Sequence, residues 1–421
     1  MPFSCRIDLP ISTRRFFKGS LATIALALPF AASAQSQYGH VRSEFPTGYA
    51  GPWQLFSTAS GLDLSVYADF TACRQAAVTG PDMACKPVTP PDNDAPLPPV
   101  VQPPMTTMPM MNGAFAIDAS ALPKGSSGVG YDRLQPTGEV APPSDIGAFR
   151  IPCAFSHMAF DDPIVFPGRP GASHLHTFFG NTGTNAMSTA ESIRGSGNST
   201  CLGGTINRTA YWVPTMIDTA TGKPIVPDAA IFYYKQGYML SPSSIIHALP
   251  QGLRMVAGDP TNNKAGASAV GFKCIGGPNN SNDQYGSAIP NCDAGASVVS
   301  TVSFPQCWDG VNLDSPDHKS HVHYPVQDQN PPFLWSCPAT HPVAIPQITF
   351  NIYYTVQTKD AAKAWRLASD TYDRSLPGGY SSHGDWFNGW EKAISDAWAA
   401  GCVQASRDCH AHLLGDGRMM Y

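Results

Sequence analysis

Two short segments carry the residues best suited to chemistry. Ser173-His174-Leu175-His176 and Ser320-His321-Val322-His323 are near copies of each other, far apart in one chain. Both follow turn-rich approaches, Asp161-Asp162-Pro163-Ile164-Val165-Phe166-Pro167-Gly168 and Asp314-Ser315-Pro316-Asp317-His318. Alternate residues of a β-strand point to the same face. Each His-x-His therefore sets two imidazoles on one face and an apolar residue on the other. Imidazole is a ligand for zinc, copper, iron and nickel. Two such strands side by side would gather His174, His176, His321 and His323 into one metal centre, with copper or zinc the expected ion.

Other polar residues fall into place around that centre. Asp162 precedes a proline, which biases its backbone to extended geometry. Its carboxylate can bind a metal, orient an imidazole or act as a general base; the competing role is an Asx-turn cap. Asp317 and His318 carry the same ambiguity close to His321, while Asp161 reads as solvated and His157, four residues after Cys153, is a candidate for the same pocket. In Ser382-His383-Gly384-Asp385-Trp386, a His and an Asp two apart can complete a site, the alternative for Asp385 being the cap of a following helix, which is the role it is chiefly read as taking. Asp162, Asp317, His318 and His383 are thus the candidate catalytic set. The competing reading for any of the histidines is a hydrogen bond to backbone that braces a loop. Trp308, Trp335, Trp386 and Trp390 suit a sugar-stacking platform or, alternatively, a core. His410 and His412 form a further His-x-His that reads as solvated.

The elements that must position these groups read as strands. The apolar runs are short, β-branched and aromatic, as in Tyr211-Trp212-Val213, Ile231-Phe232-Tyr233-Tyr234 and Ile348-Thr349-Phe350-Asn351-Ile352-Tyr353-Tyr354, and turn residues bound each one. That is the pattern of a mainly β protein, an antiparallel sandwich or jelly-roll-like domain. A few short helices are expected, over Asp360 to Leu367 and over Trp386 to Ala400, where Trp390, Ile394 and Trp398 recur at helical spacing. No glycine-rich nucleotide loop and no Gly-x-Ser-x-Gly elbow occurs in the chain.

Composition sets the compartment and the divisions of the chain. Thr13-Arg14-Arg15-Phe16-Phe17-Lys18, the apolar stretch Leu21 to Phe30 and Ala32-Ser33-Ala34 read as a twin-arginine signal peptide over residues 1–34. The expected location is periplasmic or extracellular, with no stable membrane insertion after cleavage. Cys5 leaves with the leader, and ten of the 11 cysteines remain for disulfides. Cys73 and Cys85 are expected to pair locally; the partners of the others are open. Residues 35–86 read as a small module, 87–144 as a Pro/Gly-rich linker and 145–421 as the main domain. The net charge of −5 and the absence of a basic stripe argue against nucleic acid as a partner.

Several long words of the main domain carry a resemblance. They include Phe149-Arg150-Ile151-Pro152-Cys153, Ser173-His174-Leu175-His176 with Phe179-Gly180-Asn181, Pro250-Gln251-Gly252-Leu253-Arg254-Met255 and Cys307-Trp308-Asp309-Gly310. Asp314-Ser315-Pro316-Asp317-His318-Lys319-Ser320-His321-Val322-His323-Tyr324-Pro325, Trp365-Arg366-Leu367-Ala368-Ser369-Asp370 and Ser382-His383-Gly384-Asp385-Trp386-Phe387-Asn388-Gly389-Trp390 complete the set. Together these resemble the secreted domain-of-unknown-function family numbered nineteen ninety-six, found in fungi and bacteria. Some fungal members carry cell-wall or carbohydrate-binding modules, so the resemblance implies a polysaccharide or cell-wall glycan as partner. The expected function is a metal-dependent action on extracellular polysaccharide, hydrolytic or oxidative. The alternative is a non-catalytic carbohydrate-binding module with structural histidines.

Overall fold

The computed structural model describes residues 116–421 apart from positions 121, 238, 241–243, 277–284 and 330–333, together with the backbone of three strands between residues 53 and 87. The signal-peptide reading and the Cys73–Cys85 pairing lie outside the described residues. Two units emerge, Met1–Ser43 and Glu44–Tyr421. Trp53–Ser57, Asp63–Tyr67 and Met83–Pro87 form a three-stranded antiparallel sheet with Trp53–Ser57 at its centre.

The main domain is built on two sheets. Its principal strands are β1 (Ala148–Cys153), β2 (Phe155–Ala159), β3 (His176–Gly180), β4 (Ala210–Pro214), β5 (Ala229–Lys235), β6 (Arg254–Gly258), β7 (Val270–Ile275), β8 (Ser297–Ser303), β9 (Gln347–Thr355), β10 (His383–Phe387) and β11 (Asp408–Cys409). One sheet runs in the order β7-β8-β9-β5-β1-β11, the other in the order β6-β10-β4-β3-β2. All these pairings are antiparallel except the short β11–β1 pair. The fold is therefore the mainly β, antiparallel sandwich expected from the short, alternating runs.

The facing surfaces of the two sheets supply the core. Phe232 of β5 stacks on Tyr211 of β4 with ring centroids 3.9 Å apart, and Phe350 of β9 meets Tyr211 at 5.7 Å. Phe179, Tyr211, Met255 and Trp386 of the five-stranded sheet all face inward and are buried. Their neighbours in sequence face the other way. Phe178, Ala210, Trp212, Val256 and Phe387 form a second apolar cluster on the outer side, closed by Ile164 and by Ala190 and Ile193 of the helix Ala190–Gly195. The period of two thus gives this sheet two apolar faces.

The cores explain two departures from expectation. Trp386 lies in β10, and helix begins only at Lys392–Trp398, continuing as a π-helical turn over Ala399–Gln404. Trp390 and Trp386 both donate their indole N–H to the Tyr234 hydroxyl, at 3.0 and 3.2 Å, and both are fully buried. They are core residues, not a sugar platform. Trp308, by contrast, is half-buried and donates to the Asn312 carbonyl; Trp335 lies in the short strand Trp335–Ser336. The helix expected over Asp360 to Leu367 is a 3₁₀ turn at Ala361–Ala364 followed by the strand Trp365–Leu367.

Among the described residues four disulfides join Cys153–Cys201, Cys274–Cys292, Cys307–Cys337 and Cys402–Cys409. Such bonds persist in oxidising compartments, and among the described residues no helix is long and apolar enough to cross a membrane. Part of the stretch read as linker joins the main domain: Leu134–Pro136 pairs with Arg418–Met420.

Candidate metal centre

Strand alternation selects which side chains meet. His176 opens β3 and shares its outward parity with Phe178. His383 and Asp385 share theirs with Phe387 on β10. Both strands flank β4, where His176 lies level with Pro214 and Asp385 with Trp212. The groups consequently gather on the outer face of the five-stranded sheet, beside the second apolar cluster. Leu175 and Gly384 take the opposite parity: Leu175 is buried in the inter-sheet core, and a side chain at Gly384 would press on Phe350 and Val302.

Three imidazoles converge there. His383 Nε2 lies 3.1 Å from His174 Nε2 and 3.4 Å from His176 Nε2. Backbone carbonyls, which only accept hydrogen bonds, fix two of the tautomers. His176 Nδ1 donates to Asp161 O at 3.0 Å, and His383 Nδ1 donates to Ser381 O at 2.8 Å. Their Nε2 atoms are therefore lone pairs aimed at one another. Protonation is not the remedy: burial pulls His176 down to about 3 and His383 to about 4, and burial together with the neighbouring His176 and His383 holds His174 well below the usual imidazole range. A cation is. Metal–nitrogen bonds of about 2.0–2.1 Å place two ligands of one ion about 3.0–3.4 Å apart, the separations found here. His174 is the member of the trio that reaches the surface.

Two carboxyls complete the cluster. Asp162, His176 and Asp385 bring ligand atoms within 4.8 Å of one another, as do His174, His176 and His383, and His176 belongs to both groups. Asp385 is 0% exposed, and neither of its oxygens has a hydrogen-bond partner among the described residues. Burial, then the charge of Asp162, pushes its carboxyl well above the ordinary value. An unpaired buried carboxylate costs several kcal/mol, so this position calls for a cation or a proton. Asp162 is also pushed up by burial, although the amides of Ile164 and Val165 donate to its Oδ1 at 2.9 Å each. It performs the Asx-turn role, and one of its oxygens lies within 4.8 Å of the ligand atoms of His176 and Asp385. The expected helix-cap role of Asp385 is corrected: it sits in mid-strand and caps nothing.

Outer contacts hold the ligands in place. Ser381, whose carbonyl fixes His383, donates its hydroxyl to Asp370 at 2.6 Å; Asp370 also takes the amides of Leu367 and Gly379. Such second partners fix ring orientation at metal sites. Gly258 ends β6 at φ +85°, and a Cβ there would meet Ser382 O at 2.4 Å and His383 Cα at 2.7 Å, so only glycine lets β6 close against His383.

The second His-x-His segment does not join the first. Val322–His323 pairs with Cys307–Trp308 in a separate small sheet. His321 spends both ring nitrogens, Nδ1 on Ser315 Oγ at 2.9 Å and Nε2 on Arg254 O at 2.7 Å. His323 is exposed and bonds Tyr324 O. The expectation of two neighbouring His-x-His strands therefore fails, because Ser320-His321 lies in a turn that braces β6. Asp317 is an exposed organiser of that turn, its Oδ1 accepting from Ser315 Oγ and from the amides of Lys319 and Ser320, bonds that depress its carboxyl. His318 lies closer to the cluster. Its Nδ1 bonds Asp314 at 3.0 Å, which raises its affinity for a proton, and its charge is felt at Asp162. His157 is structural, bonded to Ser156 and Thr184 O and stacked on Phe178. His410 meets Arg150, and His412 pairs with Glu139. Asp385, read from sequence chiefly as a helix cap, stands instead beside His383, the pairing that their two-residue spacing also offered.

No curated protein and no solved structure matches the chain. A family model does, over residues 162–390, more than half of the 421 positions, and its span opens on Asp162 and takes in His174, His176, His383 and Asp385. The matched region thus contains the whole cluster, and the chain belongs to the family described as a domain of unknown function, DUF1996.

Proposed function

We propose that this protein binds one divalent transition metal through the Nε2 atoms of His174, His176 and His383, with Asp385 and Asp162 as adjoining carboxyls. The convergence of three imidazole nitrogens, two of them tautomerically fixed as facing lone pairs, carries the reading. A nitrogen-and-oxygen donor set without thiolate suits zinc, iron, nickel or copper(II). His174 is only partly buried while His176 and His383 are buried, which supports an ion that can be approached from the His174 side, in contrast to a closed structural site.

The proposed chemistry is proton transfer, hydrolysis or elimination, on extracellular polysaccharide. In such a site the metal polarises an oxygen or a water. Burial raises the carboxyl of Asp385 well above its ordinary value, so it holds a proton more readily than an ordinary aspartate, which suits a general acid or base. That buried acid beside the ligands favours hydrolysis or elimination over oxidation. The substrate class rests on the company the resembled family keeps, and export on the leader-like first 34 residues.

The test has two parts. Metal content of the purified protein, wild type and His383→Ala, checks the ion: about one equivalent is expected in the first and a loss in the second. Release of new sugar ends from wall polysaccharide checks the reaction. A protein fully loaded with metal that binds polysaccharide without ever cleaving it would replace the catalytic reading with that of a binding module.

A further inference from the structure

A second site lies away from the histidine cluster, where the strand Trp365–Leu367 meets the turn that follows it. A cleft of about 370 Å³ opens there between Thr219, Lys363, Arg366, Arg374, Ser375 and Gly378. Three of its lining residues are cationic, and none is acidic. Lys363 sits on the rim, in an exposed ion pair with Asp360 at 3.0 Å. Asp373, the nearest acid in sequence, takes the Ser375 amide at 2.9 Å within its own turn and also feels the charge of Arg366.

Arg366 is the unusual member. It is only 7% exposed. Its Nη2 donates to the carbonyls of Arg374 and Leu376, and its guanidinium stands over the Tyr372 ring at 5.3 Å. Nη1 is buried without any partner among the described residues. A guanidinium with an unmade hydrogen bond is costly inside a protein. Gly378 shows how closely the turn is wrapped on it, since a Cβ at that position would lie 2.9 Å from Arg366 Cγ. The turn thus presents a fixed guanidinium with two further cations at the mouth, the arrangement that recognises planar or tetrahedral oxyanions.

We propose that Arg366, Arg374 and Lys363 form an oxyanion-binding site for a carboxylate, sulfate or phosphate group, either borne by a sugar chain or free in solution. The site does not rest on the metal reading, and its failure leaves that reading intact.

Calorimetric titration of the full-length protein tests the assignment. One arm uses inorganic sulfate and phosphate, a second uses uronate oligosaccharides, and a neutral oligosaccharide of equal length is the control. Saturable binding that weakens with salt is expected in at least one charged arm, and the tighter arm names the source of the anion. In the double variant Lys363→Gln/Arg374→Gln the dissociation constant should rise about tenfold or more, the loss expected when charge-assisted hydrogen bonds are removed. Metal content should not change. Arg366→Lys, which keeps the charge and loses the fork, should weaken binding as well, and it carries the test if the double variant does not fold. Absence of saturable binding in both charged arms, or wild-type affinity in the variants, overturns the proposal.

Discussion

Asp385→Asn should make the metal-free protein more stable at neutral pH and the metal-loaded protein less so. The reason is the burial of an acid with both oxygens unpartnered. Its carboxyl is raised well above the ordinary value, so the folded state holds a proton that the unfolded chain releases near pH 4. A group of this sign contributes stability that is full below its unfolded value and is lost as pH rises toward its folded value. Over that window the loss amounts to about 1.4 kcal/mol per pH unit. His176 and His383 titrate in the opposite sense: they resist protonation when folded, so their contribution falls as pH drops below the ordinary imidazole value. Comparing wild type with Asp385→Asn cancels that term. Urea denaturation in the presence of a chelator, at half-unit steps from pH 4.5 to 7.5, measures the difference. Its predicted form is a gap that widens in favour of asparagine as pH rises and reverses when metal is added. A gap independent of pH, or a metal-free variant no more stable than wild type at pH 7, would refute the reasoning.

Other outcomes follow from the same contacts. His321→Ala should leave metal content unchanged and cost about 1–3 kcal/mol in thermal or urea unfolding, since Arg254 O and Ser315 Oγ lose their partner. Metal retention after gel filtration should persist well below pH 6, because burial keeps His176 and His383 neutral down to about 3 and about 4; half-loss near pH 6.5 would mean that the ligands are ordinary exposed histidines. Tyr234→Phe should destabilise the fold by about 1–3 kcal/mol by stripping the indoles of Trp386 and Trp390 of their acceptor, as read from the thermal midpoint. Replacing both Cys153 and Cys201 by alanine opens a link of sequence separation 48 and should cost about 4 kcal/mol of unfolding free energy.

The outer-face geometry was legible in part. Alternation put His174 and His176 on one side and Leu175 on the other, and the structure agrees residue by residue. The same spacing offers Asp385 as a partner of His383, but the aromatic run that follows imitated the start of a helix and favoured a capping role. Trp390 and Trp398 recur at helical spacing because both pack on Phe149 and Tyr234, one from an isolated β-bridge to Asn207 and one from a helix. The resemblance between Ser173-His174-Leu175-His176 and Ser320-His321-Val322-His323 misled for a different reason. Short sequence words do not encode which strands neighbour each other. That depends on β3 and β10 both flanking β4, a pairing set by long-range packing. The hydrogen bonds that settle the roles, Asp161 O on His176 and Arg254 O on His321, come from backbone carbonyls, and backbone carbonyls leave no mark in side-chain sequence.

The central claim is that one metal ion sits between the Nε2 atoms of His174, His176 and His383. Anomalous diffraction at the edge of the bound metal locates it directly. The account predicts a single peak about 2 Å from each of the three nitrogens, with a carboxyl oxygen of Asp385 or Asp162 nearby. A peak at His321 and His323, or metal-replete crystals with no peak at the trio, would contradict it.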